Sequence, residues 1–259
     1  MNKDSLDKTF FKENGYIQLN NIIKQDNEFN KLSQEIIRET NVYYQKNLAD
    51  IKKLGGYLTG NLELLPDKKI KDIWNILCNE EFKKKFEFLT EKKISDLNIK
   101  YTGNIVLPKK GYQHFHTDGP LKSNRLIVNV AIHQINKTNA PTEIVPSTHN
   151  RKIKFWKFYL YEFFKKKKFV EMNIGDVLIR NHSLWHRGTK NKSDNLRILL
   201  FFLLTEKSAD PNFKQTINKN LLIGENQFKS SYKQKVKELI SIYLAPVYIF
   251  YRIISSLIK

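Results

Sequence analysis

Among six histidines, two lie where, with one aspartate, they could hold a metal ion. His116-Thr117-Asp118 places two donors at i and i+2. On a strand, side chains two apart project from one face, so both reach a single ion. A third donor must come from a distant strand, and His186, in Leu184-Trp185-His186-Arg187-Gly188-Thr189, is the candidate. Two imidazoles and one carboxylate on one face of an octahedral ion form the facial triad of non-haem Fe(II) chemistry, with positions left open for small ligands. Taken alone, a His-x-Asp pair is also a common hydrogen-bonded surface pair. Arg197 follows His186 by eleven residues and heads the apolar run Ile198–Leu204. An arginine on such a strand is costly unless paired, and its planar fork suits a carboxylate. Among the other histidines, His114 shares the face of His116 and suits a position beside the ion or facing substrate. His133 and His149 are expected to be structural, and His182 to lie at the surface.

Three regions must position these side chains. Residues 1–95 read as mixed with a helical bias. A short helix ends at Gly15, a strand follows at Tyr16–Leu19, and Phe29, Leu32, Ile36 and Ile37 recur at helical spacing. Asp72–Phe88 is again helical, with Trp74, Leu77 and Phe82 as core candidates. Gly55-Gly56-Tyr57-Leu58-Thr59-Gly60-Asn61 is glycine-rich but lacks the Lys-Ser/Thr ending of a phosphate loop. Residues 96–206 read as strands: Ile127–Ile132 and Ile198–Leu204 are short β-branched or aromatic runs, punctuated by Pro141, Pro146, Gly175-Asp176 and Gly188. Short strands at such intervals suggest a sandwich or barrel. Residues 207–259 form an extension. The 259 residues suit one such domain plus an extension, and the single cysteine, Cys78, excludes an intramolecular disulfide or a Cys-based metal cluster.

The motifs, in their order, resemble the phytanoyl-CoA dioxygenase family of Fe(II)/2-oxoglutarate oxygenases over about residues 9–206. Phe11-Lys12-Glu13-Asn14-Gly15-Tyr16-Ile17 resembles the family's N-terminal entry. His116-Thr117-Asp118-Gly119 follows. Asn139-Ala140-Pro141-Thr142-Glu143-Ile144-Val145-Pro146-Ser147-Thr148-His149 is similar to a family turn. Gly175-Asp176, His186-Arg187-Gly188-Thr189, Asn191 and Arg197 match the closing segment. The resemblance implies a mainly β fold with flanking helices: a double-stranded β-helix, or jelly-roll, cupin-like barrel, with N-terminal helices and a C-terminal helical extension. It implies His116, Asp118 and His186 as iron ligands and Arg197 as partner of the distal carboxylate of 2-oxoglutarate. Asn129 and Asn104 fall near positions of further cosubstrate contacts. Where some relatives carry Ser or Thr two residues after the last histidine, this chain has Gly188, so Thr189 or a water is the expected substitute. Ala140 and Ser147 replace family glycines; if the turn needs positive φ at Ser147, that costs about 1 kcal/mol or more. The implied cofactor and cosubstrates are Fe(II), 2-oxoglutarate and O2, and Asp118 favours a hydroxylase over a halogenase.

The charge is +19, from 45 Lys and Arg against 26 Asp and Glu, and only seven of the 45 are arginine. A basic balance suits nucleic acid, an anionic membrane or an acidic substrate; a lysine-rich surface is equally a compositional bias. No recognised nucleic-acid motif is present, so nucleic acid is not an expected partner. The insertion 151–170 alternates aromatics with lysine. It reads as an amphipathic helix packed on the barrel, with a lid over an anionic or amphiphilic substrate as the alternative. In the segment 239–258, Leu239, Ile242, Tyr243, Pro246, Ile249, Phe250, Ile253, Ile254 and Leu257 oppose Ser241, Ala245, Tyr248, Arg252, Ser255 and Ser256. This is expected to be an amphipathic helix lying on a membrane or a neighbouring protein, with a span or docking on the barrel as alternatives. No apolar leader opens the chain, so the expected location is cytoplasmic, with peripheral contact at the inner face of a membrane. The expected function is a dioxygenase hydroxylating a small-molecule or lipid- or carbohydrate-linked metabolite. The alternative is a non-catalytic β-barrel module on an anionic membrane.

Overall fold

The computed structural model describes residues 3–24, 26–119, 124–151, 153–161, 164–224, 236, 239–240 and 243–258. Helix α1 (Lys3–Asn14) ends at Gly15, whose φ of +77° reverses the chain into strand β1 (Tyr16–Leu19). A Cβ at Gly15 would lie 2.3 Å from the His149 ring, so glycine is required there twice over. Asp26 caps helix α2 (Asn27–Lys46) by accepting from the Phe29 N–H. Its apolar stripe buries Phe29 and Ile36. After α3 (Leu48–Ile51) and β2 (Asn61–Leu64), the expected helix over Asp72–Phe88 is two helices, α4 (Lys68–Leu77) and α5 (Glu80–Thr90). Asn79 makes the break: its side chain accepts from the Phe82 N–H and starts a new helix. Trp74, Leu77 and Phe82 are buried, as expected.

The strands that follow are β3 (Leu97–Val106), β4 (Leu126–Ala131), β5 (Thr142–Ile144), then helix α6 (Phe155–Tyr161) and β6 (Lys168–Val170). They continue with β7 (Val177–Asn181), β8 (His186–Gly188), β9 (Arg197–Glu206) and β10 (Ile223–Gly224). Seven form one sheet in the order β1-β7-β4-β9-β3-β2-β10, and three form a second, β6-β5-β8. All the paired strands run antiparallel. The core therefore has two layers. Ile198, Leu200, Phe202 and Leu204 of β9 join the helices in one cluster, with the Trp74 ring 4.8 Å from Phe202. Each such buried side chain contributes about 1.5–3 kcal/mol. The alternate residues of β9 face the small sheet, where Leu199 packs with Tyr16, Ala131, Ile144, Val170, Leu178 and Leu184. This is the expected mainly β fold, a cupin-like pair of facing sheets flanked by helices.

Two segments depart from expectation. The insertion 151–170 is only partly helical: its lysine run ends in β6, where Lys168 pairs with Ile144. Helix α6 is short and docks through Phe155 and Phe158; Phe158 stacks on Trp185 with ring centroids 3.8 Å apart. In the tail, helix α7 (Ala245–Ile258) docks on α6, and its polar side faces the protein. Ser256 Oγ accepts from the Trp156 N–H and Arg252 lies over the Phe155 ring. Ser241 and Ile242 of the expected helix lie outside the described residues. Among the described residues no helix is long and apolar enough to cross a membrane.

Candidate metal centre

His116 and His186 exchange both backbone hydrogen bonds at 3.0 Å, an antiparallel bridge that extends the small sheet beyond β8. Residues so paired are directly opposite and share a face, so the two imidazoles meet, with ring centroids 4.5 Å apart. Asp118 is carried on the same segment, and its N–H donates to the His182 carbonyl. Its carboxylate oxygens lie 3.6 Å from His116 Nε2 and 3.4 Å from His186 Nε2. Donor atoms of all three residues fall within 4.8 Å of one another.

The proton positions are dictated by the backbone. His116 Nδ1 lies 2.8 Å from the His114 carbonyl and His186 Nδ1 lies 2.9 Å from the Leu184 carbonyl. A carbonyl accepts only, so each Nδ1 carries hydrogen and each Nε2 presents a lone pair. Two lone pairs and a carboxylate therefore converge without a proton between them, at distances too long for hydrogen bonds. Ligands of one ion held at about 2 Å stand at separations of this size. The donor set thus fits a divalent cation.

Burial would raise the Asp118 pKa, but the Arg180 guanidinium, 2.7 Å from Oδ2, outweighs it and holds the carboxyl well below the usual range. Burial first, then the Arg180 charge, pushes His186 down to about 3. The carboxylate is ionised and His186 neutral at neutral pH, the forms that bind metal.

Arg180 carries a part that the sequence analysis missed. Its guanidinium donates to Asp118 Oδ2 at 2.7 Å and is buried. The signal was present: Arg180 interrupts the apolar strand Val177–Asn181, and the cost argument applied to Arg197 applies equally to it.

Strand alternation brings the remaining side chains to the same cavity, of about 930 Å³. Val106 pairs with Arg197 and Asn104 with Leu199 across β3 and β9, so all four share the inner face. Arg197 is 2% exposed. It donates to Asn104 Oδ1 at 2.8 Å and to the Ala140 carbonyl at 3.1 Å. No carboxylate among the described residues forms an ion pair with it, and burial lowers its pKa to about 9. Ala140 has φ +65° and Ser147 φ +62°, so the turn does adopt the left-handed backbone at both positions where the family has glycine.

Asn129 also lines the cavity, and its amide donates to the Leu200 carbonyl. Thr189 stands apart: its hydroxyl donates to the Pro141 carbonyl at 2.6 Å, and it is not among the cavity-lining residues. At that rim Gln113 Oε1 instead accepts from the Gly188 N–H. The His114 ring packs against Tyr112 and Tyr248. His133 Nε2 accepts from the Ile198 N–H, a structural role. His182 is a correction: it is buried, its ring against Gly119, and burial pushes its pKa down to about 4.

Fold and site together define a class: a double-stranded β-helix whose cavity is lined by a His-Asp-His group that could hold a metal ion and by a buried arginine with no acid partner among the described residues. The chain matches the phytanoyl-CoA dioxygenase (PhyH) family over residues 11–199, and it belongs to that family. No curated protein sequence matches the chain. Among solved structures it is similar to the epimerase SnoN in complex with Fe3+, alpha ketoglutarate and nogalamycin RO, at 14% identity and TM-score 0.60, covering 88% of this chain and 96% of that one. It is similar to the carbocyclase SnoK from nogalamycin biosynthesis, at 12% identity and TM-score 0.57, covering 86% and 96%. It is also similar to EctD from S. alaskensis with bound Fe, at 14% identity and TM-score 0.57, covering 85% and 80%.

Proposed function

We propose that the protein is an Fe(II)- and 2-oxoglutarate-dependent dioxygenase that hydroxylates a small-molecule or lipid- or carbohydrate-linked metabolite. The observation that carries this reading is Arg197: a wholly buried guanidinium with no acid partner among the described residues, in the same cavity as His116, Asp118 and His186. Such a cation calls for an anionic ligand. A dicarboxylate suits it, with one end at the metal and the other at the arginine.

When bound, the iron supplies the oxidising chemistry that couples decarboxylation of 2-oxoglutarate to succinate with oxidation of a substrate C–H bond. The protein's part is position and environment. His116, Asp118 and His186 hold the ion, with both rings locked by their Nδ1 bonds to backbone carbonyls. Arg180 engages Asp118 Oδ2 and leaves Oδ1 toward His116. Asn104 and the Ala140 carbonyl aim Arg197 at the distal carboxylate. Leu199 and Phe201 line the same cavity and give it an apolar wall. Tyr251, Arg252 and Ser255 of α7 line it from the tail and face the prime substrate.

With Fe(II) and ascorbate, purified protein is expected to convert 2-oxoglutarate to succinate, and His116→Ala to lose both turnover and stoichiometric Mn(II) binding. Turnover that persists in metal-free His116→Ala protein would refute the assignment.

A further inference from the structure

Helix α7 has two faces with different surroundings. The inner face is occupied: Tyr248 is buried against His114, Ile253 packs with the Phe155, Phe158 and Trp185 cluster, and Arg252, Ser255 and Ser256 line the cavity. The outer face is bare. Val247, Phe250, Tyr251, Ile254, Leu257 and Ile258 are exposed, as are Tyr243 and Leu244 just before the helix, and all but Ile254 are more than half exposed. At 100° per residue these eight positions fall within an arc of about 140°. Eight large side chains at such exposure exceed the roughly 300–600 Å² of the largest apolar patch on a typical monomer.

Charge selects what covers this face. Helix α7 contains no acidic residue, and its single charge, Arg252, belongs to the inner face. The sequence leading into it carries Lys229, Lys233, Lys235 and Lys237 against Glu225 and Glu238. Beside it, Lys154 and Lys157 flank the α6 ring cluster and are exposed, with no acid partner among the described residues. Two copies of a chain of charge +19 repel one another. An apolar strip with tyrosines among its residues, next to α6 and the exposed Lys154 and Lys157, matches instead the interface of an anionic bilayer, where rings sit at headgroup level and cations meet lipid phosphates.

We infer that α7 is an interfacial helix that seats the protein on an anionic lipid bilayer through its outer face. The inner face of the same helix is a wall of the candidate active-site cavity, and Tyr251 belongs to both. Docking therefore places the cavity beside the headgroups. Resting on the function proposed above, this makes the substrate an amphiphile delivered from the membrane.

The test is co-sedimentation of the full chain, without metal or 2-oxoglutarate, with vesicles of phosphatidylcholine alone or with 30% phosphatidylglycerol. Because it needs no turnover, its failure is distinct from failure of the catalytic assignment. Binding to the phosphatidylglycerol vesicles should exceed binding to neutral ones at least tenfold and weaken between 50 and 300 mM NaCl. The double variant Val247→Asp/Phe250→Asp should lose this binding at least tenfold while its melting temperature stays close to the parent's, since both side chains are more than half exposed. Undiminished binding by the variant overturns the inference, as does no binding by the parent chain. A dimer seen by light scattering that the double variant dissociates, with no vesicle binding, assigns the face to a second copy and also overturns it.

Discussion

Without its cosubstrate, Arg197 is a buried cation held by two neutral acceptors, Asn104 Oδ1 and the Ala140 carbonyl. Burial lowers its pKa from 12.5 to about 9. At about 1.4 kcal/mol per unit, the charged form is disfavoured in the fold by about 5 kcal/mol. For a base with a lowered folded pKa, the unfolded chain binds more protons between the two values. Stability therefore rises with pH only above about 9, and at neutral pH the full penalty is present. Arg197→Met keeps an apolar stem and removes the charge. It also strips two buried acceptors of their donor, at about 1–3 kcal/mol each. The two effects nearly cancel, so the metal-free, cosubstrate-free variant should be within about 2 kcal/mol of the parent in urea unfolding.

Cosubstrate binding should respond quite differently. A carboxylate on the guanidinium fork makes two charge-assisted hydrogen bonds of about 1.5–3 kcal/mol each. Losing both weakens 2-oxoglutarate binding by about 3–6 kcal/mol, or roughly 150- to 25,000-fold in Kd. Calorimetric titration of 2-oxoglutarate into Mn(II)-loaded protein measures this directly. An Arg197→Met variant that unfolds more than 4 kcal/mol too easily yet binds 2-oxoglutarate with parental affinity would show that Arg197 is a structural residue and that the reasoning is wrong.

Two further outcomes are expected. Arg180→Gln breaks a largely buried pair from one side, with an expected loss of about 2–4 kcal/mol in metal-free protein, discounted because the Asp118 side chain is one-quarter exposed. A bound cation next to Asp118 should restore part of it, so a urea-unfolding deficit unchanged by Mn(II) would contradict the role given to the ion pair. His182 has its pKa lowered to about 4 by burial. Its stabilising effect is complete above the ordinary histidine value of about 6.5 and is lost as pH falls toward 4, with a slope of up to about 1.4 kcal/mol per pH unit. Unfolding free energies measured between pH 4 and 7 should flatten by that slope in His182→Gln, and a parallel profile would refute it.

Some of the fold was legible because local physics is strong there. The β-branched run at Ile127–Ile132 and the apolar run after Arg197 are strands because they must be buried on both sides, and both are close to their expected bounds. The helical stripe of Phe29 and Ile36 is likewise a matter of period. The break at Asn79 was not seen, because a capping side chain competes with helix continuation over only a few residues. The short strands β2, β6 and β10 escaped notice because two to four residues carry no period. His182 was misplaced because polarity alone suggested solvent, whereas its neighbours on the ligand loop enclose it.

The sequence by itself determined the chemistry available: His-x-Asp, a distant His and an Arg eleven residues on, in an order that marks the family. Those residues are separated by up to 81 positions along the chain, and no local rule brings them together. Tertiary structure decided that His116 and His186 face each other across one antiparallel bridge, that Arg180 completes the charge around Asp118, and that Arg197 is buried with no acid partner among the described residues. It also decided the orientation of the tail. An amphipathic pattern specifies that a helix has two faces, and only the docked α6 rings and the cavity wall determine that the polar face turns inward and the apolar one stays bare.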